Sequence, residues 1–289
     1  MSATDFLYDA PGPRAKRRIL VASVISIAAV VAALVWVVLR LNDRGQFVVD
    51  LWQPFNDPGV WTTILDGLGN TLKAAALAIV LSIAFGALLA TGRLSDHKPV
   101  RWVANTVVEV FRAIPLLIMM IALFAAFPRT LGAMWSVVIA LMLYNGSLMS
   151  EIFRSGINNV PHGQREAAFA LGLRKTQVMT SILLPQAVKG MLPVIISQCV
   201  VTLKDTALGR IVTYQELLLA GSTIEVTYQD YVPTTIVLAA IYISLNMSVS
   251  GLGHLTQRWA SRPRKAPVTT PPTPGSGDPA APEVSAAKA

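Results

Sequence analysis

Four ionisable residues, Glu109, Arg112, Lys204 and Asp205, stand inside otherwise apolar stretches of this sequence. A charge in such a stretch costs free energy unless it faces a partner or a water-filled cavity, so each is by default a functional candidate. Glu109 and Arg112 are three residues apart and share a helix face, a spacing that suits a structural ion pair as well as a binding site. Lys204 and Asp205 are adjacent, about 100° apart around a helix, and are not expected to pair with each other. Together the four offer what an amino-acid zwitterion needs. Arg112 or Lys204 would take its carboxylate, and Glu109 or Asp205 its ammonium.

Covalent chemistry has no comparable residues. The chain lacks a Gly-x-x-x-x-Gly-Lys-[Ser/Thr] loop to cradle nucleotide phosphates, so no nucleotide is expected to bind here. His97, His162 and His254 are scattered, and the single cysteine, Cys199, can build neither a disulfide framework nor a thiolate zinc site. No Gly-x-Ser-x-Gly or His-Glu-x-x-His pattern supplies the nucleophile or base of a membrane hydrolase.

The elements that must hold the four charges are membrane helices. The chain is 53% hydrophobic and only 14% charged, with mean hydropathy +0.55, against about 25% charged residues in soluble domains. Its net charge of +8 is spread over the ends of the apolar runs, which fits topology signals better than a nucleic-acid patch. Each run can be measured against the roughly 20 residues needed to cross the hydrocarbon layer. Six crossings are predicted: Ile19 to Leu39, Ala74 to Gly92, Trp102 to Phe127, Leu131 to Ser150, Gln186 to Leu208 and Tyr231 to Leu255. The fold class is therefore all-α and integral to the membrane. Arg14, Lys16, Arg17 and Arg18 place the N-terminus in the cytoplasm, and six crossings return the C-terminus to the same side.

Between the first two crossings, Gln46 to Asp66 reads as an external loop, and Lys73 as a side chain snorkelling one turn inside the second helix. The organisation expected is a basic N-terminus (1–18), an additional first helix (19–39), a transmembrane domain (67–259) and a Pro-rich disordered tail (261–289).

The polar stretch from Glu151 to Pro185 separates the fourth crossing from the fifth. Pro161 suits a first helical position and Gly172 a left-handed stop, which bounds a short helix. Lys175 to Leu184 reads as a second helix, so the two form a hairpin on the inner surface. Here Glu166-Ala167-Ala168, Gly172, Ile182, Leu184 and Pro185 fall at the spacings Glu-Ala-Ala, three residues, Gly, nine residues, Ile, one residue, Leu-Pro. In this the chain resembles the membrane subunits of binding-protein-dependent ABC importers.

The resemblance implies a type I importer fold in which these seven residues form a coupling helix docked on an ATP-binding subunit. It also implies a dimer of such subunits holding ATP and Mg, a second permease subunit (related or identical), an extracytoplasmic binding protein, and a place in a bacterial cell membrane. Phe111 to Leu117, Glu151 to Ile157, Leu203 to Leu208 and Asn70-Thr71-Leu72 are similar to signatures of the polar amino-acid branch. Leu7 to Pro13 and the additional helix look like the actinobacterial glutamate permeases, which points to glutamate as cargo. A stand-alone carrier driven by an ion gradient is the alternative; it would need coupling-ion sites and commonly a larger, internally duplicated helix set.

Overall fold

The computed structural model describes residues 12–260. The sequence readings for residues 1–11 and 261–289 lie outside them. Every element among the described residues is helical. Among the described residues five helices are long and apolar enough to span a bilayer, and a bent pair brings the number to six if it is counted as one span, in agreement with the predicted class.

The first helix, α1 (Pro13–Asp43), buries none of its residues. A short 3-10 segment, Val49–Asn56, leads to α2 (Pro58–Arg93). The predicted external loop is therefore mostly helix. Asp57 accepts a hydrogen bond from the Gly59 N–H at 2.8 Å and Pro58 occupies the first turn, a start signal that fixes the boundary. Lys73 consequently lies about four turns inside α2, not one.

The predicted third crossing is broken. α3 (Lys98–Ala113) and α4 (Leu116–Ala126) meet at 95°. Pro115 has no N–H to donate and forces Ile114 into an extended conformation (φ −80°, ψ 125°), so the helix stops there. α5 (Gly132–Asn158) runs beyond Ser150, which brings Glu151 and Arg154 into a membrane helix instead of a polar loop.

α2 and α5 run in the same direction at very close range. A side chain on Gly86 would place its Cβ 2.6 Å from the Met149 Cβ and 2.8 Å from the Gly146 carbonyl. Beside this seam the main core gathers Ala74 and Ala78 from α2, Met119 and Met120 from α4, and Val137 and Leu141 from α5.

The loop after α5 folds as a hairpin of α6 (His162–Ala170) and α7 (Lys175–Gln177), the latter prolonged by π-helical turns over Val178–Leu183. Pro161 sits at the N-cap, one residue before its predicted place. Gly172 takes the predicted left-handed conformation (φ 76°), and the Leu173 N–H donates to the Ala168 carbonyl at 3.2 Å to close the helix. The predicted second helix does not end at Pro185. The wider π register lets the backbone pass the missing donor, and the helix continues as α8 (Leu184–Asp205).

α8 then breaks through a 3-10 turn, Thr206–Val212, and resumes as α9 (Leu217–Tyr228) before α10 (Tyr231–Ala260). Gln198 of α8 contacts Asn145 at mid-span, Leu217 contacts Thr71, and Tyr228 contacts Asp57 at the start of α2. Together α8 and α9 thus run the length of α2 in the opposite sense as one interrupted element. The crossing predicted from Gln186 to Leu208 lies within the apolar helical stretch Lys175–Val212, and α9 extends the element beyond it.

Candidate functional site: a polar axis and a projecting hairpin

The four predicted charges do not converge. Glu109 is exposed, and Arg112 reaches away from it to Glu151 of α5, with 3.9 Å between Nη1 and Oε2. Lys204 is exposed, whereas Asp205 is partly buried beside Asn145. Asn145 is itself fully buried and accepts from the Gln198 amide at 2.7 Å. Asp205, Asn145 and Gln198 therefore form a polar site between α5 and α8.

A second cluster lies toward the hairpin end. Glu151 Oε2 is 2.7 Å from Arg93 Nη1, and Oε1 is 2.6 Å from Arg154 Nη2. Arg93 is nearly buried and its Nε donates to Asn105 on α3 at 2.8 Å. One carboxyl thus meets guanidiniums from α2, α3 and α5. The Glu-x-x-Arg spacing of residues 151 and 154 was the sequence signal for it, masked by placing both residues in a loop.

The break between α8 and α9 is secured by residues that the charge inventory passed over. Glu216 is fully buried, and its carboxyl oxygens accept from the Leu218 N–H (2.7 Å), the Leu219 N–H (2.8 Å) and the Tyr242 hydroxyl (3.0 Å). It is the N-cap of α9. An acidic residue directly before the apolar run Leu217-Leu218-Leu219 was a readable cap. From α2, Thr71 Oγ1 accepts from the Leu217 N–H at 3.0 Å, and the Asn70 amide donates to the Gln215 carbonyl at 2.8 Å.

In the hairpin, Ala168 is buried against Val178 and Leu183, whereas Glu166 and Ala167 face outward. Gly172 and Leu184–Pro185 are exposed, and Ile182 packs at the edge of the small core. A groove of about 530 Å³ runs past Glu166, Arg165, His162 and Phe169 to Lys175 and Asp96. The Lys175 ammonium donates to the Asp96 carboxyl and so ties the hairpin to the loop between α2 and α3. That bond holds Asp96 below the usual carboxylate range.

A bent third span, an interrupted fifth and a helical hairpin between the fourth and fifth define an inner-membrane transport subunit. Residues 82–262 match the family described as binding-protein-dependent transport system inner membrane component, and the chain belongs to that family. It is 42% identical over 241 residues to the glutamate transport system permease protein GluD of Corynebacterium glutamicum, covering 80% of this chain and 88% of that one. It is 34% identical over 209 residues to the glutamate/aspartate import permease protein GltK of Escherichia coli O6:H1, covering 68% and 93%. Among solved structures, an amino acid ABC transporter crystallised with histidines superposes with TM-score 0.65 at 30% identity, over 68% of this chain and 94% of that one.

Proposed function

We propose that this chain is the permease subunit of an ATP-driven importer for an acidic amino acid, L-glutamate. An external binding protein delivers the cargo, separate ATP-binding subunits carry ATP and Mg, and a second permease subunit, related or identical, completes the path. Both termini then lie in the cytoplasm, as does the hairpin. The observation that carries the reading is the hairpin itself. Its inner face is packed by Ala168, while Glu166, Ala167 and the Gly172 turn are left on the outside, uncovered by any other of the described residues.

In this reading Glu166, Ala167, Ala168, Gly172, Ile182, Leu184 and Pro185 form the coupling element, and α8 carries its displacement into the membrane without a joint. The polar site of Asp205, Asn145 and Gln198, with Lys204 beside it, lines the cargo path. The likeness to GluD over most of the chain supports glutamate as cargo.

Co-expression with the ATP-binding subunit provides the test. Wild-type permease should retain that subunit through purification, and Glu166→Lys should lose it. Reconstituted vesicles should take up labelled glutamate only with ATP, and unlabelled glutamate should compete better than arginine or glutamine. Uptake that continues without the ATP-binding subunit would refute the proposal.

A further inference from the structure

Glu151 sits on α5, which with α8 is one of the two helices that join the hairpin to the bundle. α5 ends at Asn158 and only three residues separate it from α6, so displacement of the hairpin also acts on α5. Glu151 lies two turns before that end, about 10 Å at 1.5 Å per residue. Its two carboxyl oxygens are used differently. Oε1 is held by Arg154 of the same helix at 2.6 Å and travels with α5. Oε2 faces guanidiniums on two other helices at unequal range, 2.7 Å to Arg93 of α2 and 3.9 Å to Arg112 of α3. One contact is made and the other is waiting.

We infer that Glu151 is a positioning residue of the transport cycle, exchanging its Oε2 between Arg93 and Arg112 as the hairpin moves. This inference rests on the importer reading above. The difference between the two contacts is about 1 Å, the size of ordinary helix shifts between packed states. Arg93 keeps its anchor when released, because its Nε remains bonded to Asn105 at 2.8 Å. Arg112 is half exposed and its long side chain can follow the carboxyl. Glu151 carries one negative charge against three positive ones, and its Oε2 stands closer to Arg93 than to Arg112, so the cluster holds an unequal pairing that a shift of α5 can exchange.

The output of the exchange is placed at the elbow. Arg112 lies two residues before the 95° bend at Ile114–Pro115, and a pull on it acts on α4. There Leu116, Met119 and Met120 pack against Val212 and Tyr214, the segment where the fifth span is broken. Hairpin, α5, the Glu151 cluster, the elbow and the break thus form one contiguous mechanical chain from the coupling element to the interruption in α8–α9.

The experiment uses the complete transporter, with its ATP-binding subunit and binding protein, in proteoliposomes, and reads glutamate imported per ATP hydrolysed. Glu151→Gln should lower that ratio at least tenfold, and Glu151→Asp should restore most of it. Arg112→Gln removes only the waiting partner and leaves the 2.7 Å pair in place; it should lower both that ratio and the maximal uptake rate several-fold with the KM for glutamate unchanged. A static brace predicts an undisturbed ratio for Arg112→Gln, and that result overturns the inference. A raised KM with unchanged maximal rate would assign Arg112 to cargo binding and overturn it equally. Should Glu151→Gln fail to assemble, Arg112→Gln alone decides. ATP-independent import by the wild type would instead defeat the importer reading, an outcome visible before any variant is compared.

Discussion

Single side chains set the architecture at the break in the fifth span. Glu216 satisfies two N–H groups at the start of α9 and fixes Tyr242 of α10 at the same time. Truncating such a cap leaves buried donors unpaired. Glu216→Ala should therefore destabilise the protein by about 2 kcal/mol, near the upper end for lost caps, and Tyr242→Phe by about 1 kcal/mol. Thermal unfolding of the purified permease checks both. Equal midpoints for Glu216→Ala and wild type would show that α9 does not depend on this cap. The sequence made the cap readable in principle, since the acid precedes an apolar run. An inventory of charges within predicted spans overlooked it because Glu216 falls between two of them.

At the scale of elements, close approach and electrostatic ties make separate predictions. Gly86→Val inserts branched carbon where the α5 backbone already stands within contact distance, so α2 and α5 must part. Overpacking of this kind costs about 1–3 kcal/mol, and a fall in the thermal midpoint with loss of assembly is the expected result.

The tie between Asp96 and Lys175 behaves differently. Its carboxyl is held below the ordinary value of 3.8, so its stabilising effect is present above that pH and fades as pH falls through the lowered value. Asp96→Asn should lower the midpoint slightly at pH 7. The gap to wild type should close in acid.

Much of this level was legible: the number of spans, the hairpin, and the Gly172 stop all follow from apolar length and turn chemistry. The elbow at Pro115 and the start of α2 at Pro58 were also written in the sequence. Counting apolar residues passes over both, because a proline at a bend and a proline at a helix start differ only in what precedes them. Of the Glu151 cluster only the Glu151–Arg154 spacing was legible, since the partners on α2 and α3 leave no periodic trace along the chain.

For the molecule as a whole, α1 is set apart from everything else. None of its residues is buried, and every other span packs on a neighbour. Removing residues 1–45 should leave helix content per remaining residue and the thermal midpoint unchanged, as read by circular dichroism. A lowered midpoint would show that α1 braces the bundle. The glutamate reading and the ATP-driven reading both belong to this scale as well, because neither is carried by one residue.

The capped start of α9 also bears on how such a cargo is recognised. A helix that begins inside a membrane offers its exposed amides as a ready seat for a negative group. In this chain that seat is taken from within, by the carboxyl of Glu216. A dicarboxylic solute passing through meets a plugged socket there. At this break its positive counterparts come from side chains, and selectivity there among acidic, neutral and basic solutes becomes a matter of a few replaceable residues on a scaffold that need not change.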